Sequence, residues 1–456
     1  MKLTKLLPVS PVNMLDGPVF SSIFRFSIPL LISSLFQALY SAVDVMLVGN
    51  MLGSDKLAAI GAGMPVYDLL IGFAFGMGTG LTVVTARSFG SRDRDLMRRS
   101  VAAALIIAAC VAAVMTAAAL CFEVPILKLL HTPESVIGPA GEYITIISAF
   151  AFVTVFFNLA SGLLHSIGNS MMPMLFLLIS NVLNIILDYV FMGPLKMGLK
   201  GAASATVLAQ AFALFLSSLY LVFRCSYILP GKSDWKFDRD LYTEMTGQGL
   251  ASALLHSVVC LGTAALQAGI NSLGPGIIAA HTTARRIYSF LYQPGGAMTQ
   301  AAITFASQNR GAGRWDRIFK GIRTVSLYNL ALVVVESAFI FLTAETLMKL
   351  VSGSDDPSLI QAGVRYLRFV TPCIAVLHPL MLYRGILQSI GRKLLPALSS
   401  FIELAGKVLF MKALVPMYGY DAVIVSEPAI WCVMTAYLVA AFYLLPEVRE
   451  QRKQTI

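Results

Sequence analysis

Apolar residues run in stretches longer than about 18 residues, and such stretches recur along the whole chain between polar connections. A run of that length crosses roughly 30 Å of hydrocarbon as a helix. The pattern predicts spans at approximately 25–50, 57–86, 97–121, 140–165, 171–193, 199–225, 246–272, 276–305, 317–343, 360–390, 395–415 and 423–445. The longest polar stretch between them, Gly231–Thr246, is rich in Asp, Lys and Trp and divides the spans six and six. It reads as a plain linker. The expected division is therefore an N-terminal lobe over 1–225, a linker over 226–245 and a C-terminal lobe over 246–456.

Composition strengthens this picture. Hydrophobic residues make up 57% of the 456 positions and charged ones 13%, with a mean hydropathy of +0.76. A soluble domain keeps about a quarter of its residues charged, and no soluble core of this length hides so much apolar surface. A net charge of +10 would suggest nucleic acid in a soluble protein. Here the basic residues concentrate in alternate connections. If the N-terminus is inside, the internal ones (Lys2, Lys5, Arg87, Arg92 and Arg94 among them) outnumber the external ones (Lys56, Lys128, Lys196, Lys200, Lys349 and Lys412) roughly three to one. That asymmetry predicts a multi-pass protein of the cell membrane with both termini cytoplasmic and an even number of spans. Met1–Pro18 is polar and lacks the features of a cleavable signal. The six cysteines stand singly in or beside apolar runs, with no metal-ligand spacing, and read as small packing residues.

The two halves repeat. A shift of 221 residues brings Asn50 and Gly53 onto Asn271 and Gly274, Ala58–Ala59 onto Ala279–Ala280, and Tyr67 onto Tyr288. A shift of 223 aligns GLLHSIGNSMMP (162–173) with GILQSIGRKLLP (385–396), identical at six of twelve positions. Six spans per copy is an even number, so both copies share one orientation, related by a pseudo-two-fold axis along the membrane normal. Parallel repeats of this kind occur in transporters, with a path between the lobes.

Several segments then resemble a known family, the multidrug and toxic compound extrusion (MATE) transporters, and most closely its prokaryotic DinF-like members. They are SIPLLISSLFQALYSAVDVMLVG (27–49), LAAIG (57–61), GMGTG (76–80) with SFGSRD after it, LLHSIGNSMMP (163–173), NVLNIILDYVF (181–191) and LKGAASATVLAQ (199–210). The resemblance covers essentially the whole chain. It implies an all-α polytopic fold of twelve transmembrane helices in two six-helix lobes arranged as a V. It also implies an antiporter that exports organic, often cationic compounds against a gradient of sodium ions or protons, with no other cofactor.

An ionisable group in a bilayer is costly, so each needs a reason. Asp44 in the first span, Asp188 in the fifth and Thr206 in the sixth lie some 7–11 Å below one surface by the rise of a helix. Tyr40 is one turn from Asp44, and Asn184 one turn from Asp188. Asn158 in the fourth span is deeper and could face the same cavity. Two carboxylates brought together at low dielectric cannot both stay ionised: they hold a proton, or a sodium ion coordinated by carboxylate, amide and hydroxyl oxygens neutralises them. The resemblance assigns cation coupling, and a possible sodium site, to Asp44, Asn184, Asp188 and Thr206, with Tyr40 and Asn158 beside them. It also matches Pro29 to a proline where the first helix bends. The alternative is that both acids are neutral or salt-bridged packing residues.

Asp68 lies near mid-membrane and is a candidate cavity residue. Glu403 and Lys407 form an i,i+4 pair that neutralises itself, Glu336 has no evident partner, and His256, His281 and His378 read as packing residues. Some branches of the family carry acids in helices 7 and 10. Here helix 7 offers Gln267 and His256, and helix 10 has no acid between Ile360 and Gly391, which directs attention to the N-terminal lobe. No GxxxxGK[ST], HExxH or GxSxG motif occurs, so neither direct use of ATP nor an enzyme is expected. A lipid-linked saccharide flippase of the same superfamily is the alternative function. The expected partners are a small organic substrate, the coupling ion and membrane lipid, with a monomer as the expected state.

Overall fold

The computed structural model describes residues 11–129 and 134–455, which are helix and turn with no strand among them. The helices are α1 Val19–Leu52, α2 Ser54–Gly90, α3 Arg94–Leu129, α4 Glu134–Ala149, α5 Ala151–Ser166, α6 Met171–Met192 and α7 Leu199–Arg224. They continue with α8 Arg239–Asn271, α9 Pro275–Gly311, α10 Trp315–Ser352, α11 Pro357–Ser389, α12 Leu394–Leu409, α13 Val415–Tyr418, α14 Tyr420–Leu444 and α15 Pro446–Thr455. Lys2 and Lys5 lie outside the described residues.

Twelve spans follow from these helices. α4 and α5 meet at a bend of 49° and together make one. α12 runs through a π-helical turn, Phe410–Leu414, into α13. Pro416 there has no N–H to offer the carbonyl one turn back, so the hydrogen-bond ladder shifts register. Among the described residues, ten helices are long and apolar enough to cross a membrane, or eleven with the bent pair as one. The twelfth, α9, has the length, at 37 residues, but carries His281, Arg285, Arg286, Gln293 and Gln300 along it. Its neighbours bury His281 and half-bury Arg285, Gln293 and Gln300, while Arg286 is exposed. The outward faces are the apolar ones: Leu342 is 85% exposed and Phe223 74%, while Asp188, Asn309 and Lys407 are buried. That inversion of the soluble pattern places lipid outside.

The chain forms two compact units. One contains Ile28–Ser257 and the described residues before Met14; the other contains Met14–Ser27 and everything from Val258. The division expected from the span count falls in 226–245. The contact units divide otherwise, because the first parts of α1 and α8 each pack with the other half's helices. In the second unit, the segment before α1 is held by Asn309 Nδ2 on the Met14 carbonyl (3.0 Å), Arg317 Nη1 on that of Gly17 (2.9 Å) and Arg314 Nη1 on that of Leu15 (2.8 Å). Phe20 and Phe24 then stack at 5.4 Å and both lie against Tyr328.

In the first unit, the start of α8 lies directly on α2. The GMGTG motif explains how. A Cβ on Gly76 would stand 2.6 Å from the Ala253 Cα, and one on Gly80 would stand 2.5 Å from the Gln248 carbonyl oxygen. Gly78 faces the other way, where a Cβ would stand 2.9 Å from the Asn158 backbone of α5. Three alternate glycines thus let α2 touch two helices at backbone distance, as small residues do in membrane bundles. A core of Met77, Leu81, Val101, Ala104, Leu163 and Met245 fills the space around that contact.

The expected linker is folded onto this unit. It forms 3₁₀ turns at Ser226–Ile228 and Lys232–Trp235, with Ile228 fully buried. Arg99 pairs with Asp238 and Arg87 with Glu244. Asp238 also caps α8, accepting from the backbone N–H of Asp240 (3.1 Å) and Leu241 (3.2 Å). The Leu241 bond and, with it, the Arg99 guanidinium hold the Asp238 carboxyl below the usual carboxylate range.

The repeat is visible in the backbone. Gly53 (φ 85°, ψ 174°) and Gly274 (φ 93°, ψ 166°) precede α2 and α9 with the same left-handed conformation, one that a side chain resists.

Candidate functional site

Within the first unit, α1, α2, α4, α6 and α7 share a core of Val48, Ala59, Val66, Ile144, Met192 and Ala203. α6 and α7 approach closely because α7 opens with Gly201, Ala202, Ala203 and Ala205. A Cβ on Gly201 would stand 3.1 Å from Phe191, and Ser180 Oγ crosses to donate to the Ala209 carbonyl at 2.7 Å. This approach carries Thr206 towards α1, where its hydroxyl hydrogen-bonds the Tyr40 hydroxyl. Thr206 Oγ1 also donates back to the Ala202 carbonyl at 3.1 Å.

One turn beyond Tyr40, the Asp44 carboxyl is in hydrogen-bond contact with that of Asp188 on α6. Neither carboxylate form carries a donor, so the contact needs a proton or a cation between them. Asp188 is 0% exposed, and neither of its oxygens meets a hydrogen-bond donor among the described residues. Asn184, a turn earlier and 2% exposed, has neither an acceptor for Nδ2 nor a donor to Oδ1 among the described residues. Orphaned oxygens on an acid and an amide, next to a second acid and a hydroxyl pair, form an all-oxygen donor set that fits a sodium ion or a shared proton.

Other predicted residues have different surroundings. Asn158 gives its Nδ2 to the Thr154 carbonyl of its own helix at 2.9 Å and lies at the Gly78 contact. Asp68 is exposed, next to Tyr67. Pro29 is buried inside an α1 that continues through it, one residue past the point where α1 passes between units. Tyr67 on α2 and Tyr143 on α4 are within electrostatic reach of Asp44, and Tyr143 of Asp188 as well. Sequence reasoning missed both as site residues. Tyr67 carried a signal, since it recurs as Tyr288 in the second half. Tyr143 carried none.

The second unit contains a chain of ion pairs that sequence reasoning reduced to its central pair. Lys407 meets Glu403 at 3.0 Å, as the i,i+4 spacing implies. It also reaches Glu427 on α14 at 3.5 Å and Thr263 Oγ1 on α8 at 3.3 Å. Glu427 takes Arg285 of α9 at 2.6 Å, and Glu403 takes Arg384 of α11 at 3.2 Å. Glu427 and Arg384 had a signal that went unread: each is an ionisable residue inside an apolar run. Of the histidines, His281 Nδ1 lies 3.3 Å from the Tyr420 hydroxyl, and His256 meets Phe75 edge-on at 5.2 Å. His378 stacks on Tyr292 at 5.4 Å. Gln267 donates to Asn271 at 2.9 Å.

Known proteins resemble this chain throughout. The MatE family model matches residues 29–190 and 252–410. A probable multidrug resistance protein of Bacillus subtilis, YoeA, is 28% identical over 313 residues, 67% of this chain and 67% of that protein. The FAD transporter of Shewanella oneidensis is 24% identical over 456 residues, 97% of this chain and 98% of its own. Among solved structures, the crystal structure of a MATE protein in complex with MaL6 superposes with a TM-score of 0.86 at 22% identity. It covers 98% of this chain and 100% of its own, a likeness of fold.

Proposed function

The chain belongs to the multidrug and toxic compound extrusion (MATE) family, and on that premise we propose that it is a secondary active antiporter exporting organic compounds in exchange for sodium ions or protons. The observation that carries the reading is the contact between the Asp44 and Asp188 carboxyls beside the unpartnered amide of Asn184. Inside a membrane, such a group is stable with a proton or a hard cation in it and unstable without one. Cation occupancy therefore changes the free energy of any conformation that opens the pair, which is what coupling requires.

Asp44 and Asp188 hold the ion in this reading; Asn184 and Thr206 supply neutral oxygens, and Tyr40 orients Thr206. The concentration of basic residues in alternate connections supports cytoplasmic termini and a cell-membrane location. The names of the relatives, multidrug resistance and FAD transport, support an organic cargo. They lend no support to the flippase alternative.

The test is ethidium efflux from energised vesicles carrying the full chain, with the sodium and proton gradients collapsed separately. Efflux lost with one gradient and kept with the other names the ion. Efflux indifferent to both gradients, with the protein present in the membrane, ends the antiport reading.

A further inference from the structure

The buried ion pairs of the second unit alternate in sign along one line: Arg285, Glu427, Lys407, Glu403, Arg384. Three cations flank two carboxylates, so the chain carries one positive charge in excess. Glu336 on α10 forms no ion pair with it among the described residues. A buried pair that balances is common, but an uncompensated charge in hydrocarbon is costly unless something neutralises it.

The two ends differ in access. Arg384 is sealed at 3% exposure: Nε donates to Ser399 Oγ at 2.8 Å, Nη2 donates to Glu403, and Nη1 has no partner. Arg285 is open, with a third of its side chain exposed. Its Nη1 meets Glu427 and the Tyr366 hydroxyl (3.4 Å), and its guanidinium lies 5.4 Å from the centre of the Tyr288 ring. Arg286, the next residue, is exposed and forms no ion pair among the described residues. The excess charge thus surfaces at Arg285, about 15 Å along α9 by the helical rise, with fork-shaped donors still unused.

We propose that Arg285 and Arg286, backed by this chain, form a recognition site for the anionic group, carboxylate or phosphate, of a transported solute. The proposal rests on the export reading only in calling the solute transported; the binding site stands on its own geometry. A guanidinium already held on one side by Glu427 and Tyr366 is preorganised, so less freedom is lost when an oxyanion meets its remaining N–H groups. Glu427 is shared with Lys407 and cannot neutralise Arg285 alone. The bound anion completes the balance of charge. In this site an anionic or amphoteric compound gains what a simple organic cation does not.

The experiment measures binding of carboxyfluorescein and of ethidium to the full chain in neutral detergent by fluorescence anisotropy, alongside ethidium efflux from vesicles. Wild-type protein is expected to bind carboxyfluorescein saturably, and Arg285→Gln to weaken that binding about tenfold or more, the scale of one charge-assisted contact, while ethidium binding holds. Glu427→Gln adds a second excess charge and should tighten anion binding; a merely structural network would lose binding in both variants. Arg286→Gln, which leaves the buried chain intact, should weaken it severalfold and keeps the test open if either buried variant fails to fold. No saturable carboxyfluorescein binding by folded wild type, or equal losses in the Gln variants of Arg285 and Glu427, overturns the proposal even if ethidium efflux persists. So does occupancy by added phosphatidylglycerol alone, which makes the site one for lipid headgroups. Absent efflux with intact anion binding counts against the export reading instead.

Discussion

Asp44 on α1 and Asp188 on α6 hold their carboxyl groups in contact, 144 positions apart in the chain, in a place where Asp188 has no exposed surface. The contact joins the first span to the fifth.

Replacing Asp188 with Asn keeps the shape and removes the shared charge. Gradient-driven ethidium efflux should fall more than about tenfold, the loss of one strong charged interaction, with membrane levels unchanged on immunoblots. Thermal unfolding should move upward or stay put, because an amide in that pocket costs less to bury than a carboxylate. Full efflux in this variant removes Asp188 from coupling.

Glu427 serves two cations. Its replacement by Ala leaves Arg285 and Lys407 facing each other without a carboxylate, a change that costs about 3–5 kcal/mol when a buried pair is broken from one side. A cycle with Lys407→Met should be strongly non-additive, since the second change removes one orphan created by the first. Detergent-solubilised thermal melts of the four proteins measure the coupling.

The glycines of the α2 motif make a steric prediction. Gly80→Ala places a methyl 2.5 Å from the Gln248 carbonyl oxygen, backbone that cannot swing aside. Overpacking of this kind costs about 1–3 kcal/mol and should lower both yield and melting temperature. Gly61→Ala on the same helix meets nothing within 4 Å and should be neutral or slightly stabilising.

Asp238 gives the folded linker an acid sensitivity. Its carboxyl is held below the usual range, so its contribution is complete above about pH 4 and disappears as pH falls through the lowered value. Protection of the amides over 231–245, taken against the intrinsic exchange rate at each pH, should therefore fall on going from pH 5 towards pH 3. Asp238→Asn retains a capping side chain but loses the Arg99 pair, and should exchange faster at pH 5 with a flatter profile.

The span count, the repeat and the family were legible in the chain because each depends on local composition or on residue identity. A run of apolar residues must be covered by lipid or by other apolar helices, and Gly53 and Gly274 recur at one spacing as residue identities alone. The acids at positions 44 and 188 could be singled out for the same reason, since hydrocarbon makes any ionisable group conspicuous. Which charges meet is different. Glu403 and Lys407 are four apart on one helix and were readable as a pair; Arg285, Arg384 and Glu427 come from three other helices and joined them only through packing. The GMGTG glycines were visible as a motif, but the backbone that Gly76 and Gly80 touch, that of α8, belongs to the other half of the sequence and was decided by the fold. Helical periodicity fixes a direction around an axis to within a turn, whereas a contact between helices requires their separation, tilt and register together. Those quantities are set by the whole set of neighbours, and no single segment carries them.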